Sequence, residues 1–167
     1  MDKKFILRLE KTIKEIRNKL LLNESLRKLL YYESDELTED AEAPSIQLVK
    51  DNIFLQPVVK IDVNPPFNKK MFIAITCPAS GFNGYNEADH AIKVSVMAHD
   101  TAWVYGDGCI RVLHMMQEII NDLDHVKFAC ATKLIYEQAL QTTIDETTGG
   151  YSIMFSVTDG VGEKEGE

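Results

Sequence analysis

The chain has 167 residues and a net charge of −8, with 45% hydrophobic and 26% charged residues. This length suits one domain with its own core, and no apolar run approaches the roughly 20 residues that span a bilayer. Proteins that grip nucleic acid by its phosphates usually have a basic surface, so the charge disfavours specific nucleic-acid binding.

The three cysteines, Cys77, Cys109 and Cys130, form no Cys-x-x-Cys pair. An odd count without that spacing disfavours a disulfide framework and a zinc site. We therefore expect reduced thiols in a cytoplasmic setting.

Residues 1–32 have the pattern of an amphipathic helical region. Apolar residues recur every three or four positions from Phe5 to Leu21, and charges between them argue against a secretory signal. Asn23 and Glu24 are expected to interrupt this helix, and a shorter helical piece, ESLRKLLYY, follows. The acidic stretch at 33–50 is predicted to be an exposed connection.

Residues 51–160 are predicted to form the folded core, and 161–167 a polar tail. The segment NIFLQPVVKIDV contains Pro57 and is interpreted as an extended or edge segment. MFIAIT is predicted to be a short strand that stops at Pro78, before the glycine-containing loop PASGFNGYNEAD. In AIKVSVMAHD, the alternation places Ile92, Val94 and Val96 on one face of a strand.

Two alternating segments close the core. A turn at Thr147–Gly150 separates them, which predicts a β-hairpin. The faces predicted to be apolar comprise Phe128, Cys130, Leu134, Tyr136, Leu140 and Ile144 in the first segment, and Tyr151, Ile153, Phe155 and Val157 in the second. The order of elements predicts an α+β fold, with an N-terminal helix and a twisted, mainly antiparallel sheet of about four to five strands with one helix packed on it.

That packed helix is predicted within VYGDGCIRVLHMMQEIINDL, residues 104–123. Asp107 or Gly108 stands where an N-cap belongs, and Arg111 is expected to point to solvent or to a neighbouring chain. His114 is expected to border the apolar stripe as a partly buried polar residue. The stripe itself comprises Cys109, Val112, Leu113, Met116, Ile119, Ile120 and Leu123, so Cys109 is interpreted as a small buried hydrophobe.

The sequence indicates no catalytic, cofactor-binding or metal-binding residue. A nucleophilic Cys109 would need a base, and His114 lies about 140° around the helix from it. His90 and His99 are an odd number of residues apart, so they are expected on opposite faces of a strand. His99 and Asp100 are adjacent and are expected to point in opposite directions.

Two stretches carry a resemblance to a known family. They are LRKLLYYESDEL and NEADHAIKVSVMAHDTAWVYGDGCIRVLHMMQEIINDL, in which a strand runs into HDTAW, a short loop follows, and a helix begins. This arrangement resembles the tail terminator, or tail completion, family of tailed bacteriophages and phage-tail-like particles. The order of predicted elements matches that family over most of the chain, although the acidic connection before residue 45 is a departure from it.

The resemblance implies a structural virion protein in the tail or neck, assembled in the host cytoplasm as a hexameric ring. Such a ring caps the tail tube, stops its polymerisation and docks the head connector. The implied partners are further copies of the chain, the tail tube protein, head connector or neck proteins and, in a contractile tail, the sheath protein. DNA would pass through the ring without specific binding, and no membrane is involved. Candidate subunit-interface residues are Tyr31, Tyr32, Phe82, Tyr85, Trp103, Tyr105 and Arg111.

Other functions stay open at this point. A head–tail joining or neck protein has a neighbouring role. A small cytoplasmic enzyme using Cys109 or a histidine, and a general adaptor module, belong to different classes. A long flexible tail, a contractile tail and a headless bacteriocin-like particle would each accept this chain.

Overall fold

A computed structural model of the chain describes residues 3–33, 36–38, 40–55, 65–83, 87–106, 108–128 and 132–159. The helices there are α1 (Lys3–Leu22), α2 (Glu24–Tyr31), α3 (Ile46–Val49) and α4 (Arg111–Leu123), with 3-10 turns at Lys50–Asn52, Phe67–Lys69 and Asp100–Ala102. The strands are β1 (Ile53–Phe54), β2 (Met71–Asn83), β3 (Glu87–His99), β4 (Val104–Tyr105), β5 (Cys109–Ile110), β6 (Thr132–Thr143) and β7 (Thr148–Asp159). None of the helices in these ranges is long and apolar enough to cross a bilayer.

Five strands form the main sheet in the order β1-β2-β3-β7-β6, and β4 pairs with β5 in a separate ribbon. Strand β1 runs parallel to β2, and the other neighbouring pairs are antiparallel. The predicted α+β fold, with its N-terminal helix and mainly antiparallel sheet, is confirmed.

The helices cover one face of the sheet and enclose the core. The boundary between α1 and α2 at Asn23 has a clear local cause. Its side chain accepts a hydrogen bond from the Leu26 amide at 2.8 Å and so caps α2. The same side chain donates to Glu118 at 3.0 Å and Asp122 at 2.9 Å, which fixes the α1–α2 corner against α4. The fully buried core residues include Ile16, Leu20, Leu26, Ile73, Ile75, Ile92, Val94, Val96, Val112, Met115, Ile119, Leu134, Ile153 and Phe155.

The β2–β3 hairpin is longer than the sequence pattern predicts. The prediction that the first strand stops at Pro78 is wrong, because β2 continues to Asn83. The register shifts between Thr76 and Ala79, so Pro78 lies at a bulge, where a missing backbone N–H is tolerated. The predicted apolar face of β3 is confirmed, since Ile92, Val94 and Val96 are fully buried.

A second bulge, in β6, overturns part of the predicted face of that strand. The register shifts between Tyr136 and Gln138, and one inserted residue moves later side chains to the opposite face. Leu134 is therefore buried, whereas Leu140 is 54% exposed and Ala139 pairs with Ile153 on the core side. The predicted hairpin of β6 and β7 is confirmed, although β7 already begins at Thr148.

The bulge makes a testable contrast between two leucines of β6. Leu134→Ala should lower the free energy of unfolding by about 2 to 5 kcal/mol, because it removes fully buried methyl groups. Leu140→Ala should change it by less than about 0.5 kcal/mol, because that side chain is mostly in solvent. Denaturant unfolding of the two variants measures both values, and equal losses would contradict this register of β6 against β7.

Helix α4 begins later than the sequence pattern predicts. Its N-cap is Ile110, without a side-chain hydrogen bond, so the prediction of Gly108 as cap is wrong, and Asp107 lies outside the described residues. Cys109 is exposed on β5 and does not belong to the buried stripe. The buried face of α4 includes Met115 and not the predicted Met116, because this face begins at Arg111 and not at Cys109.

Candidate subunit interface

The β4–β5 ribbon projects two apolar side chains into solvent. Val104 pairs with Ile110 across the ribbon, and the two side chains are 47% and 38% exposed. The connecting turn contains Gly106 and Gly108 with φ of +52° and +94°, a backbone region that only glycine adopts without strain. The described part of residues 104–123 is therefore a tight hairpin followed by α4.

Arg111 lies beneath this ribbon and is fully buried. Its Nη1 donates to the carbonyls of Leu29 at 2.8 Å and Tyr32 at 2.9 Å, so the guanidinium caps the C-terminal end of α2. The guanidinium carbon lies 5.6 Å from the ring centre of Phe67 and 5.2 Å from that of Tyr105. The expectation that Arg111 points to solvent or to another chain is wrong, because it joins α2 to α4 within one protomer.

The burial of Arg111 has an electrostatic consequence. Loss of hydration lowers its pKa, and the nearby Tyr105 hydroxyl opposes this shift. Burial likewise raises the pKa of Tyr105, and the Arg111 charge opposes that shift. No described residue accepts a hydrogen bond from Nε or Nη2 of Arg111, so the two carbonyls of α2 and the two aromatic rings together compensate its buried charge.

Four of the predicted interface aromatics lie close to this arginine or to its neighbours. Tyr31, Trp103 and Tyr105 are half-buried against the core. Tyr32 packs edge-on against Tyr31 with ring centres 5.2 Å apart, and its hydroxyl donates to the Glu42 carbonyl at 2.9 Å. Tyr32 therefore joins the end of α2 to the acidic connection, and each of the four rings keeps only part of its surface for a partner.

The remaining aromatic candidates fall outside what the structure describes. Phe82 lies near the end of β2, but its side chain is not among the described ones, and Tyr85 lies outside the described residues altogether.

The histidines whose side chains the structure describes form no relay of the kind that hydrolases use. His99 Nδ1 lies 2.7 Å from Asp100 Oδ1 and 3.0 Å from Thr101 Oγ1. The prediction that His99 and Asp100 point apart is wrong, because β3 ends at His99 and the chain turns there. A relay needs the carboxylate and the hydroxyl on different ring nitrogens, and here both contact the same one.

His114 is exposed, contrary to its predicted partial burial, and its Nδ1 contacts the Tyr105 hydroxyl. The side chain of His90 is not among the described ones. In the part of the chain that the structure describes, no group of three or more His, Cys, Asp or Glu side chains is placed to hold a metal ion.

A cleft of about 430 Å³ lies at the end of the β6–β7 hairpin, and we call it the acidic cleft. Trp103 packs over Gly149 at its base, since a Cβ there would lie 3.7 Å from the indole ring. Hydrogen bonds from Thr147 and Thr148 to the Asp145 carboxylate lower the pKa of Asp145. The residues that line the cleft are Asp100, Trp103, Val104, Thr143, Asp145, Glu146, Thr147, Thr148 and Gly149.

More exposed apolar surface lies on the neighbouring edge strand. Leu140 and Ile144, at the far end of β6 and just after it, are 54% and 48% exposed. The outer side of the first half of β6 is covered, because His125 and Val126 exchange hydrogen bonds with Leu134. No described strand pairs with the outer side of residues 138–143, which leaves an open sheet edge beside the exposed side chains.

Val104, Ile110, Leu140 and Ile144 are thus among the exposed large apolar side chains, and Val104 lies between the predicted interface residues Trp103 and Tyr105. Gly106 and Gly108, which flank one residue between apolar neighbours, are a hairpin signal that the prediction of a helix with Cys109 in its buried stripe did not use. No comparable signal marks the β6 bulge. The chain matches no protein-family model, and no curated protein is detectably similar to it in sequence.

Proposed function

We propose that the chain is a structural virion protein of a tailed phage or phage-tail-like particle, the tail terminator that caps the head-proximal end of the tail tube. The proposal is supported by the resemblance of the chain to that family, in sequence and in the order of its elements. An N-terminal helix, an antiparallel sheet with a helix packed on it, and a closing hairpin occur here in that order.

One observation carries the proposal beyond the order of elements. Val104, Ile110 and Ile144 are large apolar side chains exposed beside an open sheet edge, at one end of the protomer. Exposed apolar side chains beside an unpaired strand edge favour a protein contact there, because leaving both in water costs free energy. A protein whose task is assembly needs such a surface, whereas the described part of the chain offers no relay of catalytic groups.

The proposed mechanism follows from contacts of this kind. Each protomer uses one surface to bind the next copy, and contacts between unlike surfaces close into a ring of six. The ring occupies the contact sites of the last tube ring, so no further tube protein adds. Its outer side then serves as the docking surface for the head connector or neck proteins. The net charge of −8 disfavours adhesion to DNA, which would pass through.

Electron microscopy of lysates from a deletion of this gene tests the proposal. We expect unattached heads beside tails of irregular, excessive length, because nothing stops tube growth. Tails of normal length that fail to join heads would instead assign the chain to the neck, the runner-up function. Intact infectious particles would refute both.

The exposed apolar ribbon gives a matched pair of variants for complementing that deletion. The double variant Val104→Asp, Ile110→Asp should fold normally, because both side chains are partly in solvent, yet fail to restore tail length. Leu48→Asp introduces the same chemistry at a residue of α3 that is 49% exposed, and should complement fully. The tail-length distribution measures both, and complementation by the double variant would contradict a role for the ribbon.

A further inference from the structure

The charge of this acidic protein is divided unequally along the chain. Helix α1 contains seven basic residues and two acidic ones, a net charge of +5, although the whole chain has −8. Lys11 is exposed on this helix, and no described side chain pairs with it. The helix is held beside β1, because Arg17 donates to the carbonyls of Ile53 at 3.0 Å and Lys50 at 2.7 Å.

The acidic cleft lies at the opposite edge of the molecule. Strand β1 ends one side of the sheet and β6 ends the other, and the turn that bounds the cleft follows β6. The basic helix and the acidic cleft of one protomer therefore lie toward opposite edges of the sheet. Two complementary surfaces on opposite sides of one protomer are the arrangement that produces head-to-tail contacts between copies.

The cleft also contains a buried polar group whose hydrogen bonding is incomplete. Thr148 is 2% exposed and lines the cleft. Its Oγ1 interacts with the Asp145 carboxylate and helps to lower the pKa of Asp145, but it has no partner within hydrogen-bond geometry. A donor from an incoming side chain would complete its hydrogen bonding and remove part of the cost of burying it. Asp100, Asp145 and Glu146 surround the same opening, and the Trp103 ring at its base suits the aliphatic stem and cationic head of a lysine or arginine.

We infer that the acidic cleft of one protomer receives basic side chains of α1 from a second copy of this chain. The inference rests on the proposed function in one respect: the contact it names is the one by which the proposed ring would form. Lys11 on α1 and Glu146 in the cleft are the test positions for the two sides of the contact. Both are exposed, and neither makes a described hydrogen bond. Exposed Val104 and Ile144, beside the cleft, add apolar contact around the ion pairs.

Charge exchange between the two surfaces tests this contact. Glu146→Lys and Lys11→Glu should each raise the dissociation constant for self-association by about tenfold or more, through like-charge repulsion. An equimolar mixture of the two variants should recover wild-type association, because reversed and wild-type contacts then alternate around the assembly. Glu42→Lys, which makes the same charge change on the acidic connection, should have little effect. Sedimentation at several protein concentrations measures all four, and unchanged unfolding midpoints verify that the variants fold.

A chemical cross-link locates the contact directly. Carbodiimide joins carboxylates to ammonium groups in contact, and mixing isotope-labelled with unlabelled chains separates links between copies from links within one. We expect links between copies that join α1 lysines to Asp145 or Glu146. Association without those links, failure of the mixture to recover, or no association at millimolar chain concentration would each overturn the inference. Normal particles from the gene deletion would instead refute the proposed function and leave the contact standing.

Discussion

Gly150→Ala should be among the most damaging single substitutions in this protein, with a loss of about 3 kcal/mol or more in the free energy of unfolding. A Cβ at this position would lie 1.8 Å from the Val96 carbonyl oxygen and 2.8 Å from its carbon. Both atoms belong to the backbone of β3, so neither can rotate away as a side chain would. The central β3–β7 pair would have to separate at this point, and urea unfolding monitored by circular dichroism measures the loss.

The neighbouring residue provides the control. A Cβ at Gly149 would lie 3.4 Å from the Thr142 carbonyl and 3.7 Å from the Trp103 ring, which are ordinary or slightly tight contacts. Gly149→Ala should therefore cost no more than about 1 kcal/mol. Similar losses at the two positions would contradict the close approach of β3 and β7 at Gly150.

Arg111→Ala should lower the free energy of unfolding by about 3 to 5 kcal/mol. The substitution empties the space between the rings of Phe67 and Tyr105, and it leaves the carbonyls of Leu29 and Tyr32 without their donor. Denaturant unfolding measures the loss. Lys11→Ala, at an exposed basic residue, serves as the control and should change stability by less than about 0.5 kcal/mol.

A second substitution at Arg111 separates packing from charge. Arg111→Met keeps most of the volume and removes a buried charge that has no described carboxylate partner, so it should be less damaging than alanine by at least about 1 kcal/mol. Equal losses in the two variants would mean that the hydrogen bonds to α2 account for the whole effect. Wild-type stability in Arg111→Ala would contradict the structural role assigned to this residue.

The repeating patterns of the sequence predicted the elements of the fold well. Helical spacing from Phe5 to Leu21 indicated α1, and strict alternation at Ile92, Val94 and Val96 indicated the buried face of β3. These patterns are reliable because burying one face of an element is the main source of its stability. The division of the chain at 32, 50 and 160 stays a prediction.

The local irregularities were not predictable from the same patterns. The bulge after Tyr136 reverses the exposure of Leu140, and the bulge at Pro78 lets β2 continue where a stop was predicted. Both depend on pairing with strands distant in sequence, which a local pattern does not contain. Burial of Arg111 likewise depends on carbonyls 79 and 82 residues away at Tyr32 and Leu29, so its charge alone suggested a solvent-facing position.

Our central proposal is that this chain forms the ring at the head-proximal end of a tail tube. Cryo-electron microscopy of that end in purified particles is its most direct test. We predict a ring of six copies on the last tube ring, each with the five-stranded sheet and the packed helix α4, and with the β4–β5 ribbons at contacts between proteins. Density at that position that does not fit this fold, or the same fold found elsewhere in the particle, would contradict the proposal.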